Sequence, residues 1–395
     1  MAALQDIANV GRDTSRGGYS RHLFNDADRT LRDWFVEQAE RLDLDVERDR
    51  NGNLWAWWGA PGPDAFVTGS HLDSVPGGGA FDGPLGVVSA LQAVATLQAE
   101  GHRPSKPVAI AMFAEEEGSR FGVACLGSRL LTGALAPERA LALTDGDGSR
   151  LEALLASAGV DPSAVGPDPE RLAGIGTFVE LHVEQGRGLI DLGAPVALAS
   201  SILGHGRWRM RFTGQGNHAG ATVMDDRRDP MVAAATTIAA VPKLALAHSG
   251  ARATVGRLRA VPGGTNVIAS TVECWLDARA EDDATTAVLM VGIEDEARSA
   301  AAANGCEVEI FEESWSSRVE FPDEPRANIA RVIGDVPVLP TGAGHDAGVL
   351  SAHVPSAMLF VRNPTGVSHA PEEWASDDDC AAGVVALTDL MRELT

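Results

Sequence analysis

A glycine-rich segment, GSHLDSVPGGGAFDGPLGV at residues 69–87, carries the first side chains that suit metal chemistry. It contains His71, Asp73 and Asp82 and follows the apolar run Phe66–Gly69. Imidazole and carboxylate groups ligate zinc, manganese or cobalt, and Asp73 is near enough in sequence to accept the second N–H of His71. The glycines let the backbone fold tightly around whatever these side chains face. The alternative is a surface loop with ordinary turn aspartates.

Three consecutive carboxylates lie in AMFAEEEGSRFG, residues 111–122, directly after an apolar strand-like run. Like charges this close repel one another, and a bound metal ion is a common way to hold them together. One carboxylate would then be a ligand while its neighbour, with a raised pKa, works as a general base. The alternative is a solvated acidic turn.

Two more histidines have a similar setting. His182 lies in VELHVEQG at the end of a strand-like run, and His369 lies in NPTGVSHAPEEW after the apolar run Ala357–Val361. A single histidine in such a place is usually structural. His or acidic groups at four separate strand ends instead indicate that one rim of a sheet carries the chemistry.

Four further segments contribute polar groups of less certain purpose. They are GQGNHAGAT with His218, GGTNV with Asn266, LDAR with Arg279 and GAGHDAG with His345. The plain interpretations are a turn histidine, a turn asparagine, a surface arginine and a capped helix start.

The elements around these groups predict an α/β fold with a mostly parallel sheet. A helical pattern at Ala27–Leu42 precedes alternating strand-like and longer amphipathic runs. These runs are Leu54–Trp58, Phe66–Gly69, Gly86–Gln98 and Val108–Phe113. Such alternation is typical of a parallel sheet, in which functional groups collect at the carboxyl ends of the strands.

The pattern changes near residue 206, where an inserted α+β domain with an antiparallel sheet is expected. Its predicted elements are the strands Arg207–Phe212, Ser270–Ala278 and Glu307–Phe311 and the helices Met231–Ala240 and Ala284–Asn304. We therefore predict a catalytic metal-binding domain at residues 1–205 and 319–395, and an inserted domain at residues 206–318.

The charge balance excludes several classes of partner. The formal net charge is -23, and Lys106 and Lys243 are the chain's two lysines, so no basic stretch neutralises phosphates or anionic lipid. We expect no nucleic-acid or membrane partner, and a carboxylate substrate would need local positive charge. The 4 scattered cysteines and the lack of a signal-peptide pattern favour reduced thiols and a cytoplasmic location.

Taken together, these segments resemble the metal-dependent M20-type peptidase/deacylase superfamily. More narrowly, they are similar to its ureido-hydrolase branch of allantoate amidohydrolase, N-carbamoyl-L-amino-acid hydrolase and β-ureidopropionase. The motifs GSHLDS, FDGPLGV, EEEGSRF, HVEQG, GNHAGAT, TNV, DAR, GHDAG and SHAPEE occur in family order through nearly the whole chain.

The resemblance implies a centre of two divalent metal ions, zinc or manganese, with cobalt and nickel also compatible. It assigns Asp82 as the bridging carboxylate, His71 and His182 to one ion, and Glu117 and His369 to the other. Peptidase relatives usually have a carboxylate in place of His182. The same resemblance makes Glu116 the general base and Asp73 the residue that orients His71.

By the same resemblance, a second group of residues binds substrate: Gln185, His218, Asn266, Arg279 and His345. Arg279 would hold the substrate carboxylate and supply the local positive charge, and His218 would also assist catalysis. In the family the inserted domain mediates dimerisation and lends some of these groups across the interface, so a homodimer is implied. Val223 departs from the family pattern, which usually has proline there.

The expected activity is hydrolysis of the carbamoyl or ureido C–N bond of a small carboxylate, either allantoate or an N-carbamoyl-L-amino acid. One alternative is an aminoacylase or dipeptidase of the same superfamily. Another is a non-catalytic member that binds a metabolite.

Overall fold

The computed structural model describes residues 2–395 and divides into two compact units. The first comprises the chain up to Ser201 together with Glu320–Thr395, and the second comprises Ile202–Val319. The assignment of catalysis to one unit and of dimerisation to the other stays a prediction. Between residues 2 and 395, no helix has the length and apolar character that crossing a membrane requires.

The first unit contains most of the elements. Its amino-terminal part has α1 (Ala2–Asp6), α2 (Asp26–Arg41), β1 (Asp45–Arg48), β2 (Leu54–Trp58), β3 (Ala65–His71), α3 (Pro84–Ala99), β4 (Val108–Phe113), α4 (Leu126–Thr132), α5 (Pro137–Leu141), α6 (Leu151–Ser157), α7 (Pro169–Gly174), β5 (Ile175–Val183), α8 (Gly188–Leu192) and β6 (Val196–Ile202).

The second unit follows, and the chain then returns to the first. The second unit has β7 (His205–Thr213), β8 (Asn217–His218), α9 (Pro230–Leu246), β9 (Arg252–Val261), β10 (Val267–Ile268), β11 (Thr271–Arg279), α10 (Asp283–Ala303) and β12 (Glu307–Ser316). The remaining elements are β13 (Val319–Glu320), α11 (Asp323–Ile333), β14 (Val338–Thr341), α12 (Asp346–Leu350), β15 (Ser356–Val361) and α13 (Asp377–Leu394).

The first unit is built on a nine-stranded sheet with the order β1-β2-β4-β3-β5-β15-β6-β13, in which β14 also pairs with β6. The central strands β4, β3, β5 and β15 run parallel, while β1, β2 and β6 pair antiparallel at the flanks. Every residue of β3, β4 and β15 is buried, as expected for parallel strands covered on both faces. The predicted α/β class with a mostly parallel main sheet is confirmed.

Helix α3 lies against this sheet and differs from the amphipathic helix expected over Gly86–Gln98. Eleven of its 16 residues are buried, because it packs against β3 and β5 on one side and α13 on another. The close approach explains Gly86, since a Cβ there would lie 2.3 Å from the carbonyl oxygen of Leu181. The helix is therefore apolar on nearly every face.

The parallel strands bring their carboxyl ends to one edge of the sheet. His71 is the last residue of β3 and pairs with Phe113, the last residue of β4. His182 is the next-to-last residue of β5, and Glu116 follows the end of β4 by three residues. This edge is where an open parallel sheet usually carries its ligand site.

The second unit is a four-stranded antiparallel sheet, β12-β7-β11-β9, with α9 and α10 packed against it. Alternate residues such as Met210, Phe212 and Leu276 are buried, and their strand neighbours are mostly arginine and acidic residues. The sequence pattern missed β9. Arginines at 252, 257 and 259 and the glycine at 256 interrupt its apolar alternation, because it is an edge strand with exposed side chains.

Candidate metal centre and active site

Asp82 lies at the centre of the candidate site, and its two carboxylate oxygens face different histidines. Oδ1 is 3.2 Å from Nε2 of His182 and 3.8 Å from Nε2 of His71. Oδ2 is 3.3 Å from Nε2 of His369, which is itself 3.3 Å from Oε2 of Glu117. Two groups of three potential metal ligands therefore share this one carboxylate.

The buried histidines are oriented to offer a lone pair to a cation. Nδ1 of His71 lies 3.0 Å from the carbonyl oxygen of Asp73, and Nδ1 of His182 lies 2.9 Å from that of Val183. A carbonyl only accepts, so each Nδ1 carries a proton, and in the neutral ring that binds a metal ion each Nε2 offers the lone pair. Both Nε2 atoms are buried and have no hydrogen-bond partner. A bound metal ion would satisfy both, so the donor set fits such an ion.

The position of Asp82 depends on the glycine that follows it. Gly83 has φ +85° and comes directly before Pro84, the first residue of α3. A Cβ at Gly83 would lie 2.4 Å from Cε1 of the His71 ring. Only glycine therefore allows the loop to turn into the helix while His71 keeps its place.

The acidic run after β4 forms a turn in which the three carboxylates have different surroundings. Glu115 has φ +54°, and its Oε1 accepts hydrogen bonds from the backbone N–H groups of Arg120 and Phe121, both at 2.8 Å. It closes the turn on itself. The next two carboxylates lie near the histidines instead: Glu117 beside His369, and Glu116 with Oε2 at 3.6 Å from Nε2 of His71.

Asp73 joins the two loops of the site, although its contacts differ from the one expected. Its carboxylate oxygens accept from the backbone N–H groups of Glu116 at 3.2 Å and Glu117 at 3.1 Å. The closest contact to His71 comes from the backbone carbonyl of Asp73, while its Oδ1 is 3.5 Å from Nδ1 of His71. Asp73 therefore fixes the acidic turn as well as the imidazole.

The electrostatics of the site call for positive charge. Burial raises the pKa of Glu117 well above its usual value, and the negative charge of Asp82 raises it further. Burial raises the pKa of Glu116 in the same way. Burial alone would lower the pKa of His71, but the nearby carboxylates, Glu116 foremost, hold it well above normal. A divalent cation would offset this crowding of buried negative charge.

Two of the residues assigned to substrate also lie at this site. Nε2 of Gln185 donates to Oδ2 of Asp82 at 2.8 Å. The ring of His345 is 4.5 Å from that of His182, and its two nitrogens are buried without a partner. His345 also belongs to a third group of potential ligands, with Glu180 and His182.

The second unit places its three assigned residues in two separate regions. His218 lies on β8 opposite Val267, and the carbonyl of Asn266 accepts from the N–H of Ala219 at 3.0 Å. Arg279 lies at the other end of β11, a strand of nine residues that spans roughly 27 Å. One copy of the chain therefore keeps Arg279 apart from His218 and Asn266.

The hydrogen bonds in its turn define the tautomer of the His218 ring. Its Nδ1 accepts from the backbone N–H groups of Gly220 at 3.0 Å and Ala221 at 3.2 Å. A neutral imidazole that accepts at Nδ1 carries its proton at Nε2, so this exposed side chain offers one N–H donor.

Sequence reasoning missed two side chains that contact the centre. Oγ of Ser368 lies 3.1 Å from Oδ2 of Asp82, and Oε1 of Glu373 accepts from the N–H groups of Phe81 and Asp82. Both belong to the same SHAPEE motif as His369. Their closeness to His369 in the sequence was the available signal. A serine and a glutamate at these positions do not, however, show a spacing that is typical of metal ligands.

Comparison with known proteins agrees with this geometry. The model of peptidase family M20/M25/M40 matches residues 67–393. An N-carbamoyl-L-amino acid amidohydrolase of Geobacillus stearothermophilus is 36% identical over 397 residues, which cover 97% of this chain and 95% of that protein. A probable allantoate deiminase of Oryza sativa subsp. japonica is 33% identical over 365 residues, or 83% of this chain and 74% of that protein.

A solved structure extends the comparison to the fold. The amidase of the hydantoinase/carbamoylase family from Burkholderia vietnamiensis has a TM-score of 0.91 and 30% sequence identity, covering 100% of this chain and 96% of that chain. The profile match and these relatives span nearly the full sequence. The chain therefore belongs to peptidase family M20/M25/M40 and, within it, to the hydantoinase/carbamoylase branch.

Proposed function

We propose that this protein is a two-metal amidohydrolase that cleaves the carbamoyl or ureido C–N bond of a small carboxylate. The observation that carries the proposal is the position of Asp82, whose Oδ1 faces His71 and His182 while Oδ2 faces His369. A carboxylate used on both oxygens by two ligand groups is suited to bridge two ions. Glu117 completes the second group.

The substrate class follows from the family branch and from the polar groups of the chain. The similar proteins named above act, by their names, on N-carbamoyl-L-amino acids or allantoate. Both substrates carry a ureido group and a carboxylate. In the proposal Arg279 binds the carboxylate, because a guanidinium matches carboxylate geometry, and Gln185, Asn266 and His345 contact the remaining polar groups.

Glu116 is the proposed general base. The residue is only 5% exposed, and its Oε2 lies 3.6 Å from the nitrogen of His71 that faces the proposed ions. When bound, the two ions would activate water as Lewis acids and offset the charge that develops on the carbonyl oxygen. Glu116 takes the proton of the attacking water and transfers it to the leaving nitrogen.

His218 is proposed to stabilise the transition state through the N–H at Nε2, donated to the developing oxyanion. Hydrolysis of an N-carbamoyl amino acid then yields the amino acid, ammonia and carbon dioxide, and hydrolysis of allantoate yields ureidoglycine with the same two small products. The separation of His218 from Arg279 along β11 supports a homodimer in which two copies contribute to one site.

The test is ammonia release by protein loaded with manganese or zinc. Allantoate and N-carbamoyl-L-amino acids are followed by ammonia release, and N-acetyl-L-amino acids and dipeptides by release of the free amino acid, with Glu116→Gln as the inactive control. We expect ammonia from one of the ureido substrates and none from the variant. Cleavage of only the acetyl or peptide bonds would instead assign ordinary amide hydrolysis, and no cleavage by metal-loaded protein would contradict the proposal.

A further inference from the structure

The loop that carries His369 has a conformation that its own sequence does not favour. His369 has φ +57°, a region that residues other than glycine seldom adopt. The loop starts in an ordered turn, where Oδ1 of Asn363 accepts from the N–H of Thr365 at 3.0 Å and that of Gly366 at 3.2 Å. Beyond this turn, the backbone at His369 must be held by contacts from elsewhere.

Glu373 supplies such contacts. It is 4% exposed, and its Oε1 accepts from the backbone N–H of Phe81 at 2.9 Å and of Asp82 at 3.0 Å. Hydrogen bonds from backbone N–H groups to a buried carboxylate are among the stronger ones. Glu373, four residues after His369, therefore binds the segment that carries Asp82 through two hydrogen bonds.

Ser368 connects the same two segments on the metal side. Its Oγ is 3.1 Å from Oδ2 of Asp82 and 3.2 Å from Oε2 of Glu373. Oδ2 is the Asp82 oxygen that faces His369. The contact therefore lies on the side of Asp82 that faces His369 and Glu117, whereas Oδ1 faces His71 and His182.

The Asp82 segment leaves room for this carboxylate. A Cβ at Gly79 would lie 2.1 Å from Oε1 and 2.6 Å from Cβ of Glu373. The backbone of Gly79 has no positive φ, so alanine is excluded there by Glu373 and not by backbone strain. The two segments fit together through this single side chain.

We infer that Glu373 is a positioning residue that forms the second metal position by holding the His369 loop against Asp82. This inference rests on the proposed two-metal function. Without Glu373, the His369 loop is free to relax away from φ +57°, whereas His71 and His182 are held by β3, β5 and their own carbonyl contacts. The first ion shares only Asp82 with the affected segments, so loss of Glu373 weakens the second ion more than the first.

The experiment is equilibrium titration of the metal-free full-length protein with Co²⁺, followed by bound metal content and the visible spectrum. Glu373→Asp shortens the side chain so that it no longer reaches both N–H groups, while Glu373→Gln keeps an acceptor oxygen at the same reach. We expect the Glu373→Asp variant to bind its second Co²⁺ about 10–100-fold more weakly, with a much smaller change for the first. Glu373→Gln should stay close to the wild type.

Two further variants isolate the cause. Gly79→Ala displaces the Glu373 carboxylate from the opposite segment and should reproduce the loss of the second ion. Glu372→Gln changes the exposed neighbouring acid and should change neither ion. Thermal unfolding confirms that each variant is folded, and Gly79→Ala, which displaces the same carboxylate, carries the test if Glu373→Asp does not fold.

The outcomes separate this inference from the proposed function. A wild-type protein that binds fewer than two Co²⁺ ions would contradict the two-metal centre itself. A wild type with two ions, and folded Glu373→Asp or Gly79→Ala variants that bind both as tightly, would overturn the role of Glu373. Equal weakening of both ions would overturn it too, since it would show general support of the fold.

Discussion

Arg279 donates two hydrogen bonds to the carboxylate of Asp277: its Nε donates to Oδ1 at 2.6 Å and its Nη2 to Oδ2 at 2.9 Å. The two residues are separated by one position on β11, so their side chains lie on the same face. This pairing fixes the plane of the guanidinium before any ligand arrives.

A lysine in place of Arg279 should lose this fixed geometry. We expect Arg279→Lys to lower kcat/KM by about 10–100-fold, mainly through KM, because an ammonium cannot form two parallel hydrogen bonds to a carboxylate. Steady-state kinetics on a ureido substrate and on its analogue without the carboxylate provide the measurement. Arg252→Lys, at the paired position on β9, is the matched control. An equal loss on both substrates would show that Arg279 does not bind the carboxylate.

Asp73→Asn tests how the acidic turn is held. The carboxylate accepts from the N–H groups of Glu116 and Glu117, and an amide keeps only one accepting oxygen. We expect kcat to fall about 10–100-fold, since partners of this kind orient the ligand and the base. The thermal unfolding midpoint should change little. Activity close to wild type in a folded Asp73→Asn protein would argue against this role.

His218→Ala removes the N–H donor proposed for the oxyanion. Loss of one such donor typically lowers kcat about 10²–10³-fold, and this side chain is exposed, so folding should be unaffected. His248→Ala, in the same unit, is the control. Circular dichroism and kcat are measured together, and unchanged turnover in His218→Ala would refute the assignment.

Asp346 predicts a pH dependence of stability. Burial raises its pKa to about 8, and the negative charges of Glu180 and Asp73 raise it further. The hydrogen bond from Ser128 and the charge of His71 act in the opposite direction. A carboxyl group with a raised folded-state pKa binds more protons when folded, so stability present at low pH is lost as pH rises from about 4 to about 8.

Asp346→Asn removes this proton while keeping an acceptor for the hydroxyl of Ser128. The unfolding free energy of the metal-free variant, relative to that of the wild type, should therefore rise between pH about 4 and about 8. Above pH about 8 the difference between the two proteins should stay constant. Urea unfolding across this range gives the measurement, with exposed Asp335→Asn as the control. Parallel curves throughout would contradict the assigned pKa.

Much of the fold follows from the sequence because local patterns agreed with the tertiary structure. Apolar runs such as Val108–Phe113 became buried strands with the bounds expected. Strand β9 was missed, since its arginines reflect an exposed edge that only the assembled sheet creates. The nearly complete burial of α3 also depends on α13, which is distant in sequence.

The candidate site was likewise predicted from the sequence only in part. Motifs at strand ends predicted that His71, Glu116 and His182 would lie on one rim, because parallel strands bring their carboxyl ends together. The resemblance to the ureido-hydrolase branch, and not the spacing, implied that Asp82 joins the two histidines. The run of three acids did not by itself distinguish Glu115, which closes its turn, from Glu116 and Glu117, and only the resemblance gave those two their roles. The contact of Glu373 with the Asp82 segment joins residues 291 positions apart, so no local rule reveals it.

The most direct test of the two-metal account is a titration of metal-free protein with Mn²⁺ and, separately, Zn²⁺, while ammonia release from a ureido substrate is followed. Activity is expected to appear only as the second equivalent per chain is bound, because both ligand groups around Asp82 must be filled. Full activity at one equivalent, or activity that persists without metal, would contradict it.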